Sequence, residues 1–209
     1  ASDTSSPAPS CAAPTTLRSR RSHWRRMSAT LLQVHDQIVR CNRCECLRTY
    51  CQRIAHEKKA AHRNDVYWGR PVAGFGDPQA RLLVLGLAPA AHGANRTGRI
   101  FTGDGSGDFL MRAMHSAGFA NLTTSQRADD GLMLHDAYIA AAVRCAPPDN
   151  KPTPSEILAC HPHLVAEVAA LPRIAVIVAL GRIGFDAAWR LRPVGALGPR
   201  LSWADPMRR

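Results

Sequence analysis

The residues with the most chemistry per position are the cysteines, at 11, 41, 44, 46, 51, 145 and 160. Cys41-Asn42-Arg43-Cys44 is a C-x-x-C, a spacing that puts two thiolates on one metal centre. Cys145 and Cys160 belong to one local unit further along, the end of a strand and the helix after it, and can complete a four-thiolate site. Four thiolates suit zinc as well as an iron–sulfur cluster. The plainer alternative is a set of scattered buried thiols with one fortuitous C-x-x-C. An odd number of cysteines without a signal peptide argues against a disulfide framework.

The second chemical signal is GLAPAAHGANRTGRIFTGDGSG, residues 86–107, which holds Gly86, Gly93, Gly98, Gly103, Gly105 and Gly107. It follows the apolar run RLLVLGL. Glycine lets backbone approach a ligand closely, because no Cβ stands in the way. A phosphate loop is one candidate, since Gly93 and Gly98 have the G-x-x-x-x-G spacing. That chemistry needs Lys and then Ser or Thr next, and the sequence has Arg99 and Ile100. His92 reads as a loop-bracing hydrogen-bonder, and Asp104 and Asp108 as caps of the helix that follows.

These groups must be positioned by a chain of 209 residues with 45% hydrophobic and 21% charged residues, the make-up of one ordinary globular domain. No apolar run approaches the roughly 20 residues that cross a bilayer, so no membrane partner is expected. The formal charge is +11, which favours a polyanion, nucleic acid being the commonest. Part of that charge lies in residues 1–27, a Ser/Pro/Ala/Thr-rich and then Arg-rich stretch read as a disordered basic leader. Met27 stands directly before a helix start and is a candidate native start. The leader also resembles an organelle transit peptide, a weaker option than a cytoplasmic, nucleoid-associated bacterial protein.

Ser28 reads as an N-cap, and Leu31, Leu32, His35, Ile38 and Val39 repeat at helical spacing up to Cys41. A basic helix is expected over 47–63 and a loop over YWGRPVAGFGDPQA. Three apolar strands follow at 81–87, 137–143 and 174–180, the first expected to be buried on both faces and the third expected to be buried as well. Helices separate them, one with Phe109, Leu110, Ala113, Met114 and Ala117 on its core face, and one opened by the capping pattern of Thr153 and Glu156. GRIGFDAAWRL starts a last helix. The alternation predicts an α/β fold, a three-layer α/β/α sandwich around a parallel sheet, with the domain over 28–192 and an irregular tail over 193–209.

Taken together, CNRC, YWGRPVAGFGDP, GLAPAAHGANRTGRIFTGDGSGDFL, AAVRCAPPDNKPTP and VALGRIGFDAA resemble the iron–sulfur branch of the uracil-DNA glycosylase superfamily, closest to family five. The resemblance runs from about Cys41 to Leu191. It implies a [4Fe–4S] cluster on Cys41, Cys44, Cys145 and Cys160, with Cys11, Cys46 and Cys51 as free thiols. It implies that the glycine loop lines a pocket for a base flipped out of DNA, with the backbone of Gly86, Leu87, Ala88, Pro89 and Ala90 on the base edge and Phe101 stacked on its face. Leu87-Ala88 fits family five, which has an apolar residue where other branches place an acid or amide. Asn95 is then the local candidate for catalytic contact with water or base, and Arg96 and Arg99 for contact with DNA phosphates.

The implied activity is removal of uracil and related deaminated bases from single- or double-stranded DNA by a monomeric enzyme. One family element has no counterpart. The superfamily places a histidine in a loop after its last strand, and this chain has no histidine after His163. The sequence reading therefore expects the last strand and helix to be missing and excision to be weakened, on the order of 100- to 1000-fold for one such group. The alternative is a non-catalytic iron–sulfur DNA-binding protein descended from such an enzyme.

Overall fold

The computed structural model describes residues 29–192; the expected leader, the Ser28 cap, Cys11 and the tail over 193–209 lie outside the described residues. Helix α1 (Ala29–Val39) and helix α2 (Glu45–Glu57) flank the C-x-x-C. The expected helix over 47–63 stops at Lys58, which turns left-handed at φ 56° while its N–H closes on the Ile54 carbonyl; a separate 3-10 turn, Ala60–His62, follows.

The sheet has four strands rather than three, in the order β1-β3-β2-β4. Strands β2 (Leu82–Gly86), β3 (Ala137–Ala141) and β4 (Val176–Ala179) are parallel. The addition is β1 (Phe75–Gly76), two residues inside the expected loop that pair antiparallel with Ile139 and Tyr138. So short a strand leaves no periodic signal in the sequence. Between β2 and β3 lie α3 (Ala94–Thr97), a single turn inside the glycine loop, and α4 (Gly105–Ser116). Helix α5 (Pro154–Ala169) leads into β4 and α6 (Gly181–Arg190) follows it.

Alternation along the strands builds two cores and hence three layers. Leu83, Leu85, Tyr138 and Ala140 pack with Leu31, Leu164, Val168, Ala187 and Ala188 of α1, α5 and α6. Val84, Ala137, Ile139 and Ala141 face the other way, onto Ile100, Met111 and Met114 of the glycine loop and α4. The expected α/β/α sandwich is therefore the fold. Two details differ. Helix α4 begins three residues before Asp108, capped by Asp104, which accepts from the Gly107 N–H at 2.9 Å. Its buried stripe is consequently Gly107, Met111 and Met114, and Phe109 is 71% exposed. Strand β4 is not buried on either face among the described residues: Ile177 and Ala179 are half-buried, and Val176 and Val178 are exposed. The capping box of Thr153 and Glu156 opens α5 as its sequence requires.

One polar network crosses the first core. Glu167 on α5 is fully buried, and its Oε1 accepts from the Gly74 N–H at 2.9 Å and from the Tyr138 hydroxyl at 3.0 Å, with His35 Nε2 at 3.3 Å. Arg144 Nη2 lies 2.7 Å from its Oε2. The positive guanidinium and these donors outweigh burial and hold the carboxyl down at about 2. A carboxylate depressed in the folded state adds stability above its unfolded pKa, which is lost as pH falls through the folded one. Wild-type stability is accordingly expected to decline from about pH 4.5 towards pH 2. Glu167→Gln should remove that slope while costing about 3 kcal/mol at neutral pH, because Arg144 is left buried without its partner. Urea denaturation at stepped pH checks both, and parallel slopes for the two proteins would exclude Glu167 as the source.

Candidate base pocket and thiol cluster

The carboxyl end of β2, the central strand, delivers the chain into the glycine loop, the place where open α/β sheets bind ligands. Gly86 ends the strand, and the Phe101 ring lies directly on it. A Cβ at Gly86 would stand 2.8 Å from two ring carbons, so only glycine admits the aromatic there. Gly107 performs the matching service behind, where a Cβ would land on the Phe101 carbonyl. Phe101 itself sits at φ 51°, a left-handed conformation rare for an aromatic residue. In the chain that continues from Gly86, the N–H groups of Leu87, Ala88 and Ala90 donate to no partner among the described residues, while the Leu87 and Ala90 carbonyls are taken up by Val143, Gly93 and Asn95. The wall is thus an aromatic face next to a row of available amide donors.

The other loop residues look inward. Asn95 is 1% exposed; its Nδ2 donates to the Cys51 carbonyl at 3.3 Å and the Ala91 carbonyl at 3.4 Å, and its Oδ1 is buried without a partner. Its main-chain carbonyl accepts from Gly69 at 3.0 Å. This side chain ties the loop to α2 and is not open to a flipped base. Arg96 donates to the His92 carbonyl at 2.8 Å, the Gly103 carbonyl at 2.9 Å and Asp65 at 2.8 Å. Arg99 is buried, bonded to Thr102 and Ser125 at 2.9 Å and paired with Asp130 at 2.7 Å, and it lies over the Phe75 ring. The phosphate contacts expected of Arg96 and Arg99 do not suit this placement, because both guanidinium groups are engaged inside the protein. His92 braces the loop, its Nδ1 3.0 Å from the Tyr67 hydroxyl, and burial holds its pKa below the ordinary value.

Exposed cations lie next to that loop instead, where the sequence reading placed only a generally basic helix. Lys59 and Arg63 follow α2, and Arg70 stands over the Trp68 ring. The Lys59 charge is near enough to His92 to lower its pKa further. The Lys59 N–H also reaches the Tyr67 hydroxyl at 3.4 Å.

The thiols gather in a third cluster, against which Ala88 of the same strand end packs. Cys145 and Cys160 are buried in one apolar cluster with Leu47, Cys51, Val143 and Ala146, and Cys44 packs against it. Burial raises the pKa of Cys44, and the neighbouring charges of Cys145 and then Cys41 raise it further. Burial pushes the Cys160 thiol to about 11. Cys51 hydrogen-bonds Cys145, raising its partner's pKa while its own is lowered. Among the described residues no three His, Cys, Asp or Glu groups are arranged to hold a single metal ion. Of the expected ligand set the structure gathers Cys44, Cys145 and Cys160 in one cluster, and it places Cys41 as a charge neighbour of Cys44; thiol donors of this kind suit zinc as well as an iron–sulfur cluster.

A family model described as the uracil DNA glycosylase superfamily matches residues 73–204. A Type-5 uracil-DNA glycosylase of Thermus thermophilus is 50% identical over 150 residues, 72% of this chain and 68% of that protein. The Type-5 uracil-DNA glycosylase of Mycobacterium leprae is 46% identical over 84% of this chain and 77% of its own length. That of Pyrobaculum aerophilum is 43% identical over 75% and 68%. Alignments of that length and identity, on the fold described above, leave one conclusion about descent: the chain belongs to the uracil-DNA glycosylase superfamily, with its relatives in family five.

Proposed function

We propose that the protein is a monofunctional glycosylase of base-excision repair that hydrolyses the N-glycosidic bond of uracil and related deaminated bases in DNA. The observation that carries this reading is the Phe101 ring laid on Gly86 beside the open amides of Leu87, Ala88 and Ala90. An enzyme acting on a base must take it out of the stack and hold it by one face and one edge. A pyrimidine face stacks on the ring. The base carbonyl oxygens, which gain negative charge as the C1′–N bond breaks, accept from the amides. Water supplies the hydroxyl at C1′ and its other proton ends on the released base. Fixed N–H dipoles aimed at a developing charge are the larger part of such catalysis. Asn95 is assigned as a positioning residue that ties the loop to α2, on the strength of its burial and its bond to Cys51.

In the same reading Cys41, Cys44, Cys145 and Cys160 hold a [4Fe–4S] cluster, which when bound supplies a structural cross-link between α2 and the end of β3. The protein works as a cytoplasmic monomer on nucleoid DNA. No described helix is long and apolar enough to cross a membrane.

The reaction is tested by release of free uracil from single-stranded and duplex oligonucleotides carrying one deoxyuridine, scored as alkali-cleavable abasic sites. Stable binding without release at excess protein would sink the enzymatic reading in favour of a non-catalytic DNA-binding protein. Lys59, Arg63 and Arg70 are the proposed phosphate contacts, since they are exposed beside the loop. Replacing all three by Ala should weaken DNA binding whatever the sequence and flatten the salt slope by about one unit per contact. Arg99→Ala should leave the slope alone and cost about 3 kcal/mol of stability by stranding Asp130. Anisotropy titrations across a salt series distinguish the two. An unchanged slope in the triple variant would move the footprint elsewhere.

A further inference from the structure

Buried arginines in this fold are handled in two ways. Arg99 has a hydrogen-bonded partner on Nε, Nη1 and Nη2, from Thr102, Ala128, Ser125 and Asp130. Arg144 is 1% exposed, yet its Nε, Nη1 and Nη2 make no hydrogen bond among the described residues. Its Nη2 is close to Glu167 Oε2 at 2.7 Å, but the N–H directions miss that oxygen, so the contact is an ion pair only. Glu167 is moreover shared with His35, Tyr138 and Gly74, which leaves Arg144 undercompensated. Arg48, which is half-buried, repeats the pattern at one atom only. Its Nη2 donates to the Gly69 carbonyl at 3.0 Å while Nη1 is buried without a hydrogen-bonded acceptor.

A buried cation with idle donors costs free energy unless an acceptor completes it. Both cases border the thiols. Arg144 directly precedes Cys145, and its main-chain N–H bonds Cys160 Sγ at 3.4 Å. The Arg48 guanidinium reaches the Cys145 thiol. Arg43, third on this side, is exposed and bonded to the Ala159 carbonyl, so it carries no such debt.

We propose that Arg48 and Arg144 are the built-in counter-charges of the four-cysteine site, their idle N–H groups completed by the sulfurs of the anionic group it holds. The inference rests on the iron–sulfur reading above. Adding an electron to such a group adds negative charge, and two adjacent cations favour the reduced form. Glu167, anchored by Tyr138, His35 and Gly74, sets where Arg144 stands.

The test uses the holoprotein as purified. Iron and acid-labile sulfide are measured, and midpoint potentials are read by film voltammetry for wild type, Arg48→Met, Arg48→Lys and the double variant Arg144→Met/Glu167→Gln, which removes both charges of the buried pair together. Arg48→Met should retain iron and show about a tenfold higher oxidised-to-reduced ratio at the wild-type midpoint, a shift of about 59 mV to more negative potential; the double variant, which loses the Glu167 negative charge along with the Arg144 positive one, should retain iron and shift the same way by less. Arg48→Lys should stay nearer wild type. Retained iron with unchanged midpoints in both charge-removing variants would overturn the inference and leave the cluster reading standing. If Arg48→Met loses its iron, retention in Arg48→Lys supports a charge role, whereas loss there too overturns it in favour of the fork to Gly69. Wild-type protein without iron overturns the cluster reading and this inference with it.

Discussion

Cys145→Ala and Cys160→Ala are expected to yield colourless protein without iron that unfolds at much lower temperature than wild type. Both thiols are buried where β3 ends and α5 passes, in the cluster that also receives Leu47 and Cys44 from the α2 side. Burial raises the pKa values of Cys44 and Cys160, and the hydrogen bond with Cys51 followed by burial raises that of Cys145, so without a metal group these thiols are protonated at neutral pH. Binding must deprotonate them, which couples cluster uptake to proton release and to the docking of α2 on the rest of the domain. Losing one ligand therefore removes a cross-link as well as a chromophore. Cys46→Ala is the matched control, since Cys46 is exposed and should change neither iron content nor melting. Iron and sulfide analysis with a circular-dichroism melt decides the matter. Zinc in place of iron, or unaltered iron in both buried-site variants, would refute the ligand set.

What the sequence made legible follows from how local each signal is. The parallel strands were readable because residues 82–86 and 137–141 are apolar runs bounded by turn residues, and the capping box at Thr153 fixed the start of α5. Phe101 and Gly86 were readable only as family motif positions; their contact is a tertiary fact between residues fifteen apart. The start of α4 was misplaced because Gly105 and Gly107 look like loop, yet Gly107 is required there by the close Phe101 backbone. That shift carried Phe109 from an expected core position to the surface. Arg96 and Arg99 illustrate the converse limit. A basic residue in a glycine loop suggests phosphate, and nothing nearby in sequence warns that Asp65 and Asp130 return to neutralise them. The buried quartet of His35, Tyr138, Arg144 and Glu167 was invisible for the same reason, its members lying on α1, β3, the turn after it and α5.

Phe101→Ala is expected to lower kcat/KM for uracil release by roughly 5- to 150-fold, the kinetic equivalent of a stacked base worth about 1–3 kcal/mol. The backbone of Phe101 gives that experiment an internal control. At φ 51° a residue with a Cβ is strained by about 1 kcal/mol, and Gly is not. Phe101→Gly should therefore be more stable than Phe101→Ala by about that amount and no more active. An aromatic kept where glycine would be easier to fold is what a functional ring predicts. Gly86 supplies the second control. A Cβ there meets the ring at 2.8 Å, so Gly86→Ala in the wild-type background should push the ring off the strand end and cost activity on a similar scale. In the Phe101→Ala background the obstacle is gone, and the same methyl should cost little. The two substitutions are thus expected to be strongly non-additive, the mark of residues that act through one contact. Melting temperatures of all four proteins separate lost stacking from lost fold. Additive losses, or a Phe101→Ala enzyme as fast as wild type, would mean that the base rests elsewhere than on this ring.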